Sequence, residues 1–473
     1  MKSADAIFHT CLREQIYSRK AVNTGSMKHN RRALPRQVRI LLIGIALLQP
    51  GVLAQSRNAP SVDHWVSTWA TAQSLAPGSG RGGGRAGAAP KQGPPPATPP
   101  QNGAGQGRGN NPQGIIPTSL NDQTMRMVVH TSLGGRRVRV QLSVALGASE
   151  LTIGAAHIAV RAKESEIVPA TDRVLTFGGK PDCTIQPGVL MFSDPVDLEV
   201  APMSDLAVSI YLPKDTGPPT NHPVGLHTAY ISKGDMTGQT VMPEPSTTTA
   251  YLWLSSVDVA AAPNAFAIVA YGDSITDGYA TTRDANLAWP TLLAKRLSAN
   301  KATAHIAVVN QGISGNQVLR DGAGISALAR FDRDVLSRPG VKWMILLEGI
   351  NDINIRGRNS GPDALTSDEL IAGYRQLIER AHTAGIRVIG ATIMPEDGVP
   401  TASERGEEIR TSVNQWIRTG KAFDAVVDFD AVVRDPQRPI RIRSEFDPGD
   451  HIHPNDAGNQ AMADAFDLTV FRK

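Results

Sequence analysis

A serine, an aspartate and a histidine stand in this chain where nucleophilic catalysis would use them. Ser274 lies in the segment GDSITDG, after the apolar run AFAIVAY, and Asp450 and His453 lie three residues apart near the C-terminus. A carboxylate at this spacing can orient an imidazole within one turn, and the neutral imidazole can then accept the proton of a serine hydroxyl. The pattern predicts a hydroxyl nucleophile, Ser274, with His453 as its base and Asp450 as the orienting acid.

Two further segments offer hydrogen-bond donors for a tetrahedral oxyanion. Gly315 stands in the turn GISGN, where a residue without a side chain can bring its N–H close to a ligand. Asn351 stands in GIND and carries a side-chain amide. The N–H groups of Ser274 and Gly315 and the amide of Asn351 are therefore predicted to form an oxyanion hole, which makes the reaction an acyl transfer completed by water.

Each of these residues also has an ordinary structural interpretation. Gly, Asp and Ser are common in turns and at helix N-caps, so Asp273 and Asp277 are expected to shape the turn and cap the helix, and Asp352 to brace its loop. His451 is a rival to His453, but only His453 completes the Asp-x-x-His spacing. We therefore retain His453 as the predicted base.

Other polar and aromatic residues of this region are expected to be structural. The tryptophans Trp289 and Trp343 are predicted to lie in the core. The charged residues between the second and third motifs are interpreted as solvated ion pairs rather than substrate contacts; they are Arg320, Asp321, Arg330, Asp332, Arg333 and Asp334.

The elements around these motifs follow an alternating pattern from about residue 265. Apolar strands such as AFAIVAYG, HIAVVNQG and KWMILLEG alternate with amphipathic helices such as DELIAGYRQLIERAHTAG. Continuous apolar strands joined by helical crossovers predict a parallel sheet covered on both faces. Ligand sites of open α/β sheets collect at the carboxyl ends of the strands, where the first three motifs stand.

The preceding half of the chain has a different periodicity. Residues 55–262 contain many short segments with alternating polar and apolar residues, such as RRVRVQLSVAL, which predict an all-β sandwich. The tract 77–116 is composed mainly of Gly, Pro, Ala and Gln and is expected to be a disordered insert. The segment HWVSTWATAQ before it is expected to join the folded body, because two tryptophans are costly to leave in solvent.

The first 54 residues are expected to be a prefix and a secretory signal peptide. The apolar run 40–54 ends in Val-Leu-Ala and is too short and too interrupted by Pro and Gly to span a bilayer. A basic segment precedes it and contains Arg31, Arg32, Arg36 and Arg39. Cleavage is expected after Ala54, with a secreted protein and no stable membrane insertion; the start at Met1 or Met27 stays open.

Removing this prefix changes the charge and the cysteine content. The first 54 residues hold nine Lys/Arg and two Asp/Glu, so the formal net charge falls from +4 to −3 without them. That balance argues against a nucleic-acid partner. Cys11 lies in the prefix, which leaves Cys183 without an intramolecular disulfide partner.

Taken together, the four motifs resemble the SGNH (GDSL-type) hydrolase superfamily, with the Ser, Gly, Asn and His roles at Ser274, Gly315, Asn351 and His453. The resemblance covers residues 265–473 and implies a flavodoxin-like three-layer α/β/α domain at 263–473, without a cofactor. The β-rich half is similar in layout to the jelly-roll-like domains of some secreted esterases. No H-E-x-x-H motif or cysteine pair predicts a metal, and Ser274 lacks the G-x-S-x-G elbow of α/β-hydrolases.

The expected function is a secreted serine esterase that hydrolyses short acyl esters of carbohydrates or aryl alcohols through an acyl-enzyme, with acetyl implied by the resemblance, so that the substrate is a small-molecule or glycan ester. A lipase, lysophospholipase or thioesterase would use the same site. In a different interpretation, the β-rich half is an extracellular polysaccharide-binding module and the hydrolase domain is vestigial. Intact motifs at all four positions count against the last alternative, while a polysaccharide contact through the β-rich half stays open.

Overall fold

The structure of the chain is a computed structural model that describes residues 63–74 and 115–472. The predicted prefix and signal peptide (1–54), and the Gly/Pro-rich insert (77–116) apart from its last two residues, lie outside the described residues. The described residues belong to one compact unit. The boundary between 55–262 and 263–473 stays a prediction, placed between a strand that ends at Ala260 and one that begins at Phe266.

The first half of the described chain is built of short antiparallel strands. They are β1 (Trp65–Ala70), β2 (Gln123–His130), β3 (Gly135–Ser143), β4 (Leu151–Ile153), β5 (Ala155–Lys163), β6 (Glu166–Ile167), β7 (Arg173–Val174), β8 (Cys183–Ile185), β9 (Leu190–Phe192), β10 (Val196–Val200), β11 (Asp205–Leu212), β12 (Asn221–His222), β13 (Ala229–Lys233), β14 (Ser246–Thr248), β15 (Tyr251–Leu252) and β16 (Leu254–Ala260). A 3₁₀ turn spans Pro169–Thr171.

These strands form two principal sheets, as the alternating pattern predicts. One sheet has the order β1-β16-β3-β10, with β9 also pairing to β3, and the other has the order β14-β13-β2-β11-β5-β6, with β7 on β5. Alternate side chains of both sheets meet in one hydrophobic cluster, which includes Met127, Val140 and Ile210. The segment HWVSTWATAQ contributes β1, which pairs with β16, so its expected place in the folded body is confirmed.

The second half alternates strands and helices. The strands are β17 (Phe266–Gly272), β18 (Ile306–Gly312), β19 (Val341–Leu347), β20 (Arg387–Ala391) and β21 (Ala425–Val427). The helices are α1 (Ser274–Asp277), α2 (Trp289–Ala299), α3 (Ala327–Phe331), α4 (Ile350–Arg356), α5 (Ser367–Thr383), α6 (Glu404–Thr419), α7 (Phe429–Val433) and α8 (Asp456–Asp464), with a π turn at Asp332–Leu336 and 3₁₀ turns at Gly361–Asp363 and Leu468–Arg472.

The five strands form one parallel sheet in the order β18-β17-β19-β20-β21, which is the flavodoxin-like order. The residues of the three adjacent strands β18, β17 and β19 are mostly buried, as expected for a sheet covered on both faces. The helices pack into two groups, one of α2, α7 and α8 and one of α3 to α6. Trp289 and Trp343 lie in this core, as predicted. The second half is therefore the three-layer α/β/α fold expected from the sequence.

The β-rich half covers the edge of the parallel sheet at β18. Strand β1 lies beside β18, and the backbone N–H of Val308 donates to the hydroxyl of Ser132 at 3.1 Å. Ala265, Ala267 and Ala307 belong to the hydrophobic cluster of the β-rich half. In the described ranges, none of the helices has both the length and the apolar character needed to cross a membrane.

Candidate active site

Three of the four motifs lie together because their strands are neighbours in the sheet. Ser274 follows β17, Gly315 follows β18 and Asn351 follows β19, and β17 lies between the other two strands. Parallel strands end at the same edge of the sheet, so the loops that carry Gly315 and Asn351 flank the loop that carries Ser274. The order of the strands thus produces a convergence that the spacing along the chain does not show.

Ser274 begins a helix of a single turn, α1. The preceding residue, Asp273, is the N-cap, and its carboxylate accepts from the N–H of Ile275 at 3.0 Å. This is the capping role expected for Asp273. The helix lies so close to the end of β18 that a Cβ on Gly312 would stand 2.3 Å from the backbone nitrogen of Asp277. Only glycine at position 312 permits this approach.

The structure brings Ser274, His453 and Asp450 into one hydrogen-bonded series. The Nε2 atom of His453 lies 2.8 Å from the Oγ atom of Ser274, and its Nδ1 atom lies 2.8 Å from Oδ2 of Asp450. The other oxygen of Asp450 accepts from the N–H groups of Ile452 and His453. The carboxylate is therefore fixed by the loop, and it can hold the imidazole with Nε2 free to accept a proton.

His451 takes a separate partner. Its Nδ1 atom lies 2.5 Å from Oδ2 of Asp447, whereas the nearby Asp450 is used by His453. On the other side of His453, the ring of Tyr279 lies 4.4 Å from the imidazole, measured between ring centroids. The sequence analysis did not predict this contact of Tyr279, although Tyr279 lies only five residues after Ser274.

The loops that carry the two predicted oxyanion donors, Gly315 and Asn351, are held in different ways. Gly315 adopts φ +80°, a left-handed conformation that favours glycine. The side-chain nitrogen of Asn351 donates to the carbonyl of Asn316 at 2.9 Å, which uses one of its two N–H groups and holds the loops of β18 and β19 together. Asp352 accepts from the N–H groups of Val318 and Leu319, so its expected bracing role is confirmed.

The prediction that Arg330 and Asp334 form a solvated ion pair is wrong, because both side chains are buried. The Arg330 side chain is fully buried, and the Asp334 side chain that pairs with it is 4% exposed. The guanidinium donates to the carbonyls of Gly272 and Gln311 and to the side-chain oxygen of Asn316, at 2.9, 2.7 and 2.8 Å. Two of these acceptors are backbone carbonyls at the ends of β17 and β18, so the guanidinium lies at the ends of both strands.

Burial sets the charge states of several carboxyl groups at this edge. Burial raises the pKa of Asp273 to about 7 and, with the backbone N–H groups opposing it, that of Asp352 to about 6. Burial also acts to raise the pKa of Asp450, but its hydrogen bonds with His453 and the backbone outweigh this effect and lower the pKa. Asp450 therefore stays ionised at neutral pH, whereas the pKa of Asp273 lies near neutral.

A histidine of the β-rich half, His222, contacts the helix that begins at Ser274, and the sequence analysis did not identify it. His222 is buried, and its Nε2 atom lies 2.9 Å from Oδ1 of Asp277 at the end of α1. The other oxygen of Asp277 accepts from Ser314. No motif surrounds His222, and 55 residues separate it from Asp277, so no sequence signal pointed to the pair.

Residues that could bind a metal do not converge in the described part of the chain. No group of three or more His, Cys, Asp or Glu side chains has an arrangement that could hold an ion there. Cys183 is a free thiol, and burial raises its pKa to about 11, so it is a poor nucleophile. The chemistry that this arrangement allows is nucleophilic attack by a serine hydroxyl.

Comparison with known proteins identifies a similar family. Residues 270–461 match the family model of the GDSL-like lipase/acylhydrolase family. This range contains all of the predicted site residues, namely Ser274, Gly315, Asn351, Asp450 and His453. No sequence among the curated proteins matches the chain.

Several solved structures also match part of the chain. One is a lipolytic protein of the G-D-S-L family from Desulfitobacterium hafniense, at 23% identity over 42% of this chain and 96% of that chain, with a TM-score of 0.33. Another is an aryl esterase from M. smegmatis, at 19% identity over 42% and 95%, with a TM-score of 0.33. A third is an acetylxylan esterase from Geobacillus stearothermophilus, at 22% identity over 44% and 95%, with a TM-score of 0.34.

Proposed function

We propose that the chain, whose residues 270–461 form a carboxylic ester hydrolase domain of the GDSL-like lipase/acylhydrolase type, is a secreted serine esterase for short acyl esters. The observation that carries the proposal is the series from Ser274 through His453 to Asp450, with both hydrogen bonds at 2.8 Å. An esterase of this kind needs a hydroxyl within reach of a base, and the base within reach of an orienting acid.

In the proposed reaction, Oγ of Ser274 attacks the ester carbonyl while Nε2 of His453 takes the hydroxyl proton. The negative charge on the carbonyl oxygen is stabilised by the N–H groups of Ser274 and Gly315 and by the amide of Asn351. The bond to the alcohol then breaks, and His453 returns the proton to the leaving oxygen. Water attacks the acyl-serine with the same base, which releases the acid and restores the Ser274 hydroxyl.

Asp450 holds the tautomer of His453 with Nε2 unprotonated and stabilises the imidazolium that forms during each attack. Acidification therefore stops the reaction, since a protonated His453 cannot accept the hydroxyl proton.

The test is hydrolysis of p-nitrophenyl acetate by the protein and by two variants. Ser274→Ala is expected to lower kcat by roughly 10⁴ to 10⁶, because the nucleophile is lost. His451→Asn is the matched control, since Asn tolerates the left-handed conformation of His451 (φ +66°) and this histidine has Asp447 as its partner. Wild-type activity in Ser274→Ala would refute the mechanism.

The substrate class within this proposal is an acetyl or similarly short ester of a carbohydrate or an aryl alcohol. The family resemblance supports this choice. Activity profiled over p-nitrophenyl esters of increasing chain length is expected to peak at acetate, and a peak at long chains would favour a lipase instead. Acetate release from a panel of acetylated glycans then separates carbohydrate substrates from aryl esters.

Secretion is also part of the proposal, on the basis of the basic and apolar segment that ends at Ala54. The expected product of export is a chain that begins at Gln55. Mass spectrometry of the protein recovered outside the cytoplasm measures this directly, and an intact N-terminus on the exported protein would contradict it.

A further inference from the structure

A buried histidine of the β-rich half reaches the loop that carries Gly315. His222 lies in β12, and its Nε2 atom is 2.9 Å from Oδ1 of Asp277. The Oδ2 atom of Asp277 accepts from the N–H of Ser314 at 2.9 Å and from its hydroxyl at 2.7 Å. A single carboxylate therefore connects the β-rich half to the residue that precedes Gly315.

The contacts of His222 require a doubly protonated ring. Its Nδ1 atom lies 2.8 Å from the carbonyl oxygen of Ala72, and its Nε2 atom also lies 3.1 Å from the carbonyl oxygen of Val224. Carbonyl and carboxylate oxygens only accept, so both ring nitrogens must donate. Burial alone would lower the pKa of His222, but Asp277 and the two carbonyls outweigh it and raise the pKa. The pair is thus a buried imidazolium and a buried carboxylate.

The same interface contains a second buried histidine that serves as a comparison. His227 lies 2.8 Å from the side-chain oxygen of Asn286 and 3.6 Å from the carboxylate of Asp284. Both histidines come from the β-rich half and contact residues between β17 and α2. His222 differs in its partner, because Asp277 continues the hydrogen-bonded series to Ser314.

We propose that His222 is a positioning residue for the oxyanion hole, because it fixes Asp277, and Asp277 fixes Ser314 and with it the N–H of Gly315. The inference rests on the proposed esterase function and makes the β-rich half a working part of the active site. Oxyanion donors act by being held in place before charge develops. A displaced donor therefore lowers kcat and leaves substrate binding nearly unchanged.

The test compares His222→Gln and Asp277→Asn with the matched control His227→Gln in the full chain. Both test variants are expected to lower kcat on p-nitrophenyl acetate by roughly 10- to 100-fold, with KM within about threefold. Inhibition by a boronic acid, which forms a tetrahedral adduct on Ser274, is expected to weaken by a similar factor. The control is expected to change both quantities by less than about threefold.

A double variant tests whether the two residues act in one series. Because His222 acts through Asp277, His222→Gln combined with Asp277→Asn is expected to lose no more activity than the worse single variant. If His222→Gln does not fold, Ser314→Ala carries the test, since it removes the hydroxyl bond to Asp277 and is expected to lower kcat about tenfold.

Three results would overturn the inference: wild-type kcat in a folded His222→Gln or in Ser314→Ala, an equal loss in the His227→Gln control, or a rise in KM alone. A wild-type protein without esterase activity would instead overturn the proposed function, and this inference with it. An active wild type with an unimpaired His222→Gln variant would overturn the inference alone.

Discussion

At the scale of single residues, most polar atoms of the side chains in the site already have a hydrogen-bond partner. Both oxygens of Asp450 accept hydrogen bonds, and one N–H of Asn351 is used by the carbonyl of Asn316. His453 has one nitrogen on Asp450 and the other on Ser274. Each group is thereby held in one orientation before a substrate binds, which is what electrostatic stabilisation of a transition state requires.

Asn351 gives the prediction at this scale. Asn351→Ala removes the proposed donor to the oxyanion and is expected to lower kcat by about 10² to 10³, with a small change in KM, because the oxyanion forms only after binding. Steady-state kinetics on p-nitrophenyl acetate measure both values. Asn354→Ala on the same helix, which removes a bond to Thr401, is the control. An unchanged kcat in Asn351→Ala would remove this residue from the oxyanion hole.

At the scale of elements, Arg330 joins the ends of two strands and one loop. It bonds to Gly272 in β17, to Gln311 in β18 and to Asn316, and it stacks on the ring of Tyr271 at 4.1 Å. Ser274, the proposed nucleophile, lies two residues after Gly272, and Gly315 precedes Asn316. A buried guanidinium with several fixed acceptors can therefore set the relative positions of the elements that carry the site.

Arg330→Met tests this arrangement by its effect on stability. Loss of the guanidinium leaves three oxygen acceptors and the Asp334 carboxylate with fewer partners, so the free energy of unfolding is expected to fall by about 3 to 5 kcal/mol. Urea denaturation measures the change, and Arg358→Met at an exposed position is the control. Arg330→Lys keeps the charge but not the fork of donors and is expected to recover only part of the loss. Equal stability of Arg330→Met and wild type would contradict the proposed role.

At the scale of the whole molecule, burial of acidic groups makes stability depend on pH. Glu396 lies in the loop after β20, is 3% exposed and has an unpaired carboxylate oxygen among the described residues. Burial raises its pKa to about 7. The folded state therefore holds a proton that the unfolded state has released, so the contribution of Glu396 to stability falls as pH rises from about 4.5 to 7.

Glu396→Gln is expected to remove this dependence. The neutral amide needs no proton, so the variant should gain stability relative to wild type at pH 8 by up to about 3 kcal/mol and show a flatter profile between pH 4.5 and 7. Urea denaturation at a series of pH values measures it, with Glu408→Gln on the exposed face of α6 as the control. The opposite sign, a larger gain at pH 5 than at pH 8, would show that Glu396 is ionised in the folded state.

Much of the fold followed from periodicity. Alternation in the first half predicted the antiparallel sheets, and apolar runs joined by amphipathic helices predicted the parallel sheet with its covering helices. The positions of Ser274, Gly315 and Asn351 after successive strands also placed them at one edge. These predictions succeeded because each depends on local patterns, namely side-chain period and chain direction, which hold wherever the element packs.

The sequence by itself determined the local chemistry: the hydroxyl after β17, the glycine and the amide after its two neighbours, and the three-residue spacing from Asp450 to His453. Tertiary structure alone decided the burial of Arg330 and the contact of His222 with Asp277. Both depend on residues that are distant along the chain and on how much water the packed halves exclude. From the sequence, a charged side chain is expected to be solvated. Its burial depends on the acceptors and the packing that surround it in the folded molecule.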